Sequence, residues 1–242
     1  MFRLITMEIK RLRFSKAFWI TILGYLIAVG LNLGEMRVKG GITLPIVIGT
    51  ITNSYFILIF FLAIFISAYI QLDFQCGQIK NIVTSTKDRA SFISIKFATL
   101  CVLCLLMLAV SVLILSIYAA FFTEDGMKTG NILEALLSFI EMYLMFTFLH
   151  AFFMLIAIIM KKELTSILLC VLLGIGLPIV EQLLYIKTNI DFGKISVLNQ
   201  LMGFSETTSF LIRLLYIGLA VLYCGIAIFI AKKIMRKKDI HI

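Results

Sequence analysis

Long apolar runs alternate along the chain with short polar segments. Six runs approach or exceed the roughly 20 helical residues needed to cross a bilayer core about 30 Å thick. They cover residues 17–34, 51–72, 97–121, 138–160, 164–186 and 209–231, to within a few positions. The polar segments are too short to bury a core of their own. The pattern therefore predicts an all-α polytopic membrane protein with six transmembrane helices, in which residues 1–242 form a single transmembrane domain.

Composition supports this class. The chain is 62% hydrophobic and 14% charged, with a mean hydropathy of +1.09. Soluble domains are instead about half apolar and a quarter charged. The net charge of +9 is therefore interpreted as a signal for topology and for an anionic membrane surface, and not as a sign of nucleic-acid binding.

Lysine and arginine residues predict the orientation. If both termini are cytoplasmic, the inner segments carry five in 1–16, four in 73–96, two at Lys161 and Lys162, and five in 232–238. The outer segments carry only five, at Arg37, Lys39, Lys128, Lys187 and Lys194. This asymmetry follows the positive-inside rule and predicts a multi-pass membrane protein with both termini cytoplasmic.

The first sixteen residues have the pattern of an amphipathic helix. Phe2, Ile5, Ile9 and Leu12 share one helical face, and the basic residues lie away from it. We expect this segment to lie along the membrane surface. Two interpretations stay open, an elbow helix that positions the first span and a basic anchor.

A polar loop at 73–96 separates the second and third apolar runs. Within it, Ile79, Ile82 and Val83 recur at helical spacing, and Gly77 precedes them. One or two turns of helix would present a small apolar face suited to docking on another protein. The basic residues beside this face are Lys80, Lys87 and Arg89.

Three ionisable residues lie within the predicted spans, at Glu141, Glu181 and Arg213, and the alternating span directions place all three near the outer leaflet. Such groups are costly in hydrocarbon unless they are paired or wetted. The simplest structural interpretation pairs Glu181 with Arg213. A wet outer gate and a contact for a cationic substrate are the functional alternatives. His150, near mid-membrane, is interpreted as a packed histidine.

Other spans contain features with structural interpretations. Gly174, Gly176 and Pro178 are expected to kink or interrupt the fifth span. Cys101 and Cys104 have the C-x-x-C spacing of redox and zinc sites, but no second ligand pair exists, so we interpret them as packing residues, and we predict no metal site. Asn53 and Ser54 are expected to form an interhelical hydrogen bond.

The pattern does not decide whether 42–50 and 188–208 re-enter the membrane. The first segment is apolar but contains Pro45 and Gly49, and the second is only partly polar.

Taken together, the chain resembles a permease subunit of the type-2 ATP-binding-cassette exporters. The chain shares four features with that family: an amphipathic start, six spans, a loop between spans two and three, and a broken segment before the sixth. Within that loop Gly77, Lys80, Arg89 and Lys96 are similar to the loose coupling-loop pattern of the family. In size and compactness the chain is most similar to the small permeases of lantibiotic and bacitracin immunity systems and related peptide exporters.

The resemblance implies a division of labour. Two permease chains, identical or homologous, would sit above two cytosolic ATPase subunits and move an amphipathic peptide outward. The chain contains no G-x-x-x-x-G-K-[ST] loop, so we expect it to bind no cofactor, with ATP and magnesium held by the partner ATPase. An ion-coupled secondary transporter or channel is the alternative, because Glu141, Glu181 and Arg213 are residues that could handle coupling ions. A membrane enzyme is disfavoured, since H-E-x-x-H is absent.

Overall fold

The computed structural model describes residues 2–36, 43–75, 89–122, 132–160, 162–188, 196 and 210–237. Within these ranges the protein is all helical, with eight α-helices and one short 3₁₀ helix at Ile51–Ser54. The helices are α1 (Phe2–Leu12), α2 (Lys16–Met36), α3 (Leu44–Thr50), α4 (Tyr55–Gln75), α5 (Arg89–Phe122), α6 (Ile132–Ile159), α7 (Glu163–Thr188) and α8 (Phe210–Lys237).

Six of these helices, α2 and α4 to α8, are long and apolar enough to cross a membrane. The predicted all-α polytopic class is therefore confirmed. Because consecutive spans alternate in direction, α1, the end of α4, the start of α5, the end of α6, the start of α7 and the end of α8 lie at one end of the bundle. We call this the α1 end, and the opposite end the far end.

The third long helix begins earlier than the hydrophobic pattern predicts. We expected the span to start at residue 97, after a polar loop, whereas α5 is helical from Arg89. Phe92 and Ile93 are completely buried in its first turns, so packing stabilises helix where polar neighbours had suggested a loop. Lys96 consequently lies inside the helix and not at the end of a loop.

The helices α4 and α6 form the centre of the bundle. In an apolar stretch of 18 residues within each helix, 61% and 72% of the residues are buried in α4 and α6, against 17% in α7 and in α8. The central helix α4 packs on α2, α6 and α7, while α6 also contacts α5 and α8. Large apolar side chains such as Leu168, Leu172 and Phe229 are exposed on the outer helices, as expected for surfaces that face lipid or another chain.

The ambiguous segment at 42–50 proves to be partly a short helix. Pro45 lies in the first turn of α3, where its missing N–H costs no hydrogen bond. Val47 and Ile48 are buried, and α3 packs against α5 and α6 before the chain enters α4 through the 3₁₀ turn. The other ambiguous segment, 188–208, lies outside the described residues apart from Thr188, where α7 ends, and Ser196.

Ser54 makes the interhelical hydrogen bond that we predicted. Its hydroxyl is 3.1 Å from the carbonyl oxygen of Ala28 and 3.2 Å from Oδ1 of Asn32, both on α2. The side chain of Asn53 lies outside the described part of the structure.

The predicted break in the fifth span does not interrupt the helix. The helix α7 is continuous from Glu163 to Thr188, with Pro178 inside it. Gly174 has a packing role, because a Cβ there would lie only 3.0 Å from Ile59 and 3.1 Å from Phe153. A Cβ at Gly176 would meet no atom within 4 Å. Gly174 thus permits the close approach of α7 to the centre of the bundle.

A second close approach joins α2 to α4. A Cβ on Gly24 would fall inside the contact distance of the Phe61 ring, at 2.2 Å. By contrast, a Cβ on Gly30, six residues further along α2, would meet no atom within 4 Å. Only the first of these glycines is required by packing.

The different surroundings of Gly24 and Gly30 predict different effects of substitution by alanine. We expect Gly24→Ala to destabilise the protein by about 1–3 kcal/mol, because the Phe61 ring must move in a packed interface. Gly30→Ala is the matched control and should leave stability unchanged or slightly raised, since alanine favours helix. Thermal unfolding in detergent measures both. Equal melting temperatures for the two variants would contradict the close contact.

Candidate functional site

Four polar residues line the last two turns of α4 at the α1 end. Ser67, Tyr69, Gln71 and Asp73 are all buried. In a helix, residues four apart share a face, and residues two apart point to nearly opposite sides. Ser67 and Gln71 therefore face one side of α4, and Tyr69 and Asp73 face the other.

The first pair fastens α4 to the α6–α7 connection. The hydroxyl groups of Ser67 and Ser166 are 2.8 Å apart. The side-chain amide of Gln71 donates to the carbonyl oxygens of Ala157 and Met160 at 2.6 and 2.7 Å. These carbonyls belong to the end of α6, where backbone acceptors lack partners within the helix. Gln71 therefore caps α6 from a neighbouring helix.

The second pair meets charges from α1 and α5. Nζ of Lys96 lies 2.5 Å from Oδ2 of Asp73 and donates to Oε2 of Glu8 at 2.7 Å. Arg11 donates to the other oxygen of Asp73 and lies 3.6 Å from Glu8. We call Glu8, Arg11, Asp73 and Lys96 the four-charge cluster.

Tyr69 completes the surroundings of this cluster. Its hydroxyl donates to Oε2 of Glu8 at 2.9 Å. Its ring lies beneath Lys96, with Nζ 3.8 Å from the ring centroid, a distance suited to a cation–π interaction. Lys96 is thus surrounded by two carboxylates and an aromatic face.

The four-charge cluster contains two acids and two bases, so its net charge is zero. The side chains of Asp73 and Lys96 are 0% exposed. Buried charges cost several kcal/mol each unless good partners compensate them. At Arg11, partial burial lowers the pKa of the guanidinium, but the hydrogen bond and charge of Asp73, with the charge of Glu8, outweigh that effect and raise the pKa. Arg11 therefore stays protonated.

The cluster links α1 to both sides of the 76–88 segment. Asp73 stands just before that segment on α4, and Lys96 follows it on α5. A force applied to the segment reaches α1 through ion pairs and reaches α6 and α7 through Ser67 and Gln71. This arrangement links α4 and α5 to three further helices, α1, α6 and α7.

The coupling residues named from sequence lie mainly beyond the described chain. Gly77, Ile79, Lys80, Ile82, Val83 and Lys87 fall outside the described residues. Arg89 is the first residue of α5, and its side chain is not among those described. The docking role of these residues stays a prediction.

The ion pair at the far end is not the pair of Glu181 with Arg213 that the sequence suggested. Nε of Arg213 lies 3.9 Å from Oε2 of Glu141, and Nη1 donates to Ser138 at 3.1 Å. The described ion pair of Arg213 is therefore with Glu141 and not with Glu181. Oε2 of Glu181 is buried and accepts no hydrogen bond from the described residues. The physical reason is helix packing, because α8 packs extensively on α6, which carries Glu141.

His150 and the two cysteines occupy packed positions. Nδ1 of His150 lies 2.6 Å from the carbonyl oxygen of Phe146. Because a carbonyl only accepts, Nδ1 carries the hydrogen, and the prediction of a packed histidine is confirmed. Cys104 is buried and Cys101 partly so.

Sequence reasoning missed most of the four-charge cluster, although one signal was present. Glu8 is the only acid in the first sixteen residues, and it follows Ile5 by three positions and precedes Leu12 by four. It therefore lies on the apolar face of α1, where an unpaired carboxylate would be costly. That conflict indicates a buried cationic partner but does not identify it.

Comparison with known families agrees with this architecture. The model of the ABC-2 family transporter proteins matches residues 4–177, which is more than half of the chain, so the protein belongs to that family. A comparison with curated proteins found no significant match. The protein is thus the membrane permease subunit of an ABC transporter, and hydrolysis of ATP belongs to a separate ATPase subunit.

The ion pairs of the four-charge cluster predict coupled stability effects. Lys96→Gln or Asp73→Asn alone should cost roughly 3–5 kcal/mol, because each leaves an uncompensated buried charge. The double variant keeps the cluster neutral, so its loss should be clearly smaller than the sum of the single losses. Thermal unfolding in detergent provides the measurement. Lys233→Gln is the matched control at an exposed lysine and should change little. Strictly additive losses would argue against the described pairing.

The pairing at the far end is open to a similar test. Stability losses from Glu141→Gln and Arg213→Gln should be non-additive, with a coupling energy of about 0.5–3 kcal/mol. The same cycle made with Glu181→Gln and Arg213→Gln is the control and should show much weaker coupling. A larger coupling for Glu181 would restore the pairing first suggested by the sequence.

Proposed function

We propose that the protein is the permease of an ATP-driven exporter that moves an amphipathic or antimicrobial peptide out of a bacterial cell, for immunity, resistance or peptide secretion. The observation that carries the coupling part of this proposal is the four-charge cluster. In a member of the ABC-2 family, it joins the helices on both sides of the 76–88 segment, α4 and α5, to each other and to α1.

The coupling mechanism follows from where ATP is hydrolysed. Since ATP and magnesium are held by the ATPase, their free energy reaches the membrane helices only through a contact between subunits. We place that contact at Gly77, Ile79, Ile82 and Val83, with the apolar side chains entering a cleft of the ATPase. The basic residues Lys80, Lys87 and Arg89 would pair with acidic groups at its rim.

The cluster explains how movement at this contact would be transmitted to other helices of the bundle. Movement of the 76–88 segment displaces the end of α4 or the start of α5. If Asp73 and Lys96 separated, each buried charge would lose one of its two ionic partners and would keep only the one on α1. The loss is costly, so α4, α5 and α1 are expected to move together. Gln71 would carry the same displacement to the end of α6.

A second permease chain is expected beside this one. The spans α7 and α8 have only 17% of their residues buried within the chain, so most of their surface is available to lipid or to another permease. A pair of permease chains, identical or homologous, above two ATPases would enclose a path between them.

Charge and hydrophobicity support a peptide substrate. A cationic amphipathic peptide would find apolar surface on α7 and α8 and the half-buried carboxylate of Glu181 near the far end, since Glu141 is buried and paired with Arg213. The similarity in size to lantibiotic and bacitracin immunity permeases points to the same class. The excess of lysine and arginine at the α1 end favours placing that end, and both termini, in the cytoplasm.

The decisive experiment changes the proposed docking face. We expect Ile82→Asp with Val83→Asp to abolish export and weaken binding of the ATPase, because two unpaired charges would be buried in the contact. Membrane insertion should survive, since the change lies outside the spans. Co-purification of the ATPase measures binding, and survival of cells challenged with bacitracin or a lantibiotic measures export.

A matched control separates charge from position. Asn81→Asp with Thr84→Asp adds the same charge on the opposite side of the helical turn that the sequence predicts, and should retain the ATPase and export. Normal binding by the Ile82 and Val83 variant would refute the docking assignment. If the unaltered complex retains its ATPase but protects against neither peptide, the substrate assignment fails while the coupling assignment stands.

A further inference from the structure

A groove lies between the end of α1 and the last turns of α4. It has a volume of about 190 Å³ and is lined by residues that include Arg11, Phe14, Ser15, Ala68 and Leu72. A cavity needs only roughly 10–15 Å³ to hold one water. The groove is therefore large enough for a phosphate-sized group, and the coupling mechanism does not use it.

The position of the groove is at the membrane boundary. Ala68 and Leu72 belong to the last two turns of a membrane-spanning helix, whereas Arg11 belongs to the surface helix α1. Beside the groove Phe14 is 89% exposed and Trp19 56% exposed, and the indole of Trp19 donates to the carbonyl oxygen of Arg13. Exposed aromatic side chains of this kind are typical of the interface between lipid and water.

Basic residues outnumber acidic ones in the segment of α1 and its end that borders the groove. Residues 2–16 contain five lysines and arginines and a single acid, Glu8. Glu8 is buried in the four-charge cluster, so its charge is already compensated. Arg13 and Lys16 are exposed, and Arg11, which carries five N–H groups, remains 29% exposed beside its two acidic partners.

From these observations we propose that the groove is a binding site for an anionic phospholipid. The phosphate of the lipid contacts Arg11, which lines the groove, and the exposed Arg13 and Lys16, which flank the lining residues Phe14 and Ser15 in sequence. The start of an acyl chain lies against Ala68 and Leu72. A site with basic groups at the water boundary and apolar groups beneath it matches the two parts of such a molecule. A soluble acidic peptide would match the basic groups but not an apolar wall formed by a membrane span.

The site has a consequence for the four-charge cluster. Arg11 lines the groove and also donates to Asp73, so a phosphate at Arg11 adds a third negative group beside Glu8 and Asp73. Lipid composition would in this way influence the contact that holds α1 to α4.

Native mass spectrometry of the purified protein with phosphatidylglycerol or phosphatidylcholine tests the proposal. We expect one tightly retained phosphatidylglycerol per chain and several-fold lower retention of phosphatidylcholine. Arg13→Gln with Lys16→Gln should reduce retention of phosphatidylglycerol several-fold. The control, Lys232→Gln with Lys233→Gln, removes the same charge from the end of α8 and should retain it. Excess inorganic phosphate should not displace the lipid.

A third variant tests the groove without changing charge. Ala68→Phe fills the apolar wall and should also reduce retention of phosphatidylglycerol several-fold, with gel filtration checking that the protein stays folded. Equal retention of the two lipids, equal losses in the two charge variants, or displacement by inorganic phosphate would each overturn the proposal. Should Ala68→Phe fail to fold, the comparison of the two charge variants decides the outcome.

Discussion

Complete burial of Asp73 and Lys96 is the constraint on which the α1 end depends. Neither side chain reaches water, so each charge must be compensated within the protein. Asp73 and Lys96 pair directly, and α1 supplies Glu8 and Arg11 as further partners. An amphipathic surface helix is thereby attached to the bundle by paired charges in addition to apolar contacts. Its position relative to α4 and α5 follows from charge neutrality.

The central helix α4 and the outer helices α7 and α8 differ in how firmly they are held within the chain. The central helix α4 is fastened on both sides, by Ser67 and Gln71 towards α6 and α7, and by Tyr69 and Asp73 towards α1 and α5. The outer helices α7 and α8 bury little of their surface within the chain. An ABC permease needs both, because a rigid connection must carry movement from the ATPase while other surfaces remain able to rearrange.

The sequence predicted the helices better than the contacts between them. Hydrophobic length alone identified the six spans, since the bilayer requires it. The hydrophobic run placed the start of the third span at residue 97, whereas α5 begins at Arg89. The reason is that Phe92 and Ile93 are flanked by polar residues, and only packing shows that they are buried. Span direction placed Glu141, Glu181 and Arg213 near one end. It did not show that α8 lies against α6. The sequence therefore suggested Glu181 as the partner of Arg213, whereas the structure pairs Arg213 with Glu141.

The helix α6 connects the two charged regions. At the α1 end Gln71 donates to the carbonyl oxygen of Ala157, and at the far end Glu141 pairs with Arg213. Sixteen residues of continuous helix separate these contacts, or about 24 Å at a rise of 1.5 Å per residue. A helix transmits axial displacement with little loss because its hydrogen bonds run along its axis. If the ATPase shifts α4 at the α1 end, as proposed, α6 would carry that shift to the Glu141–Arg213 pair at the far end.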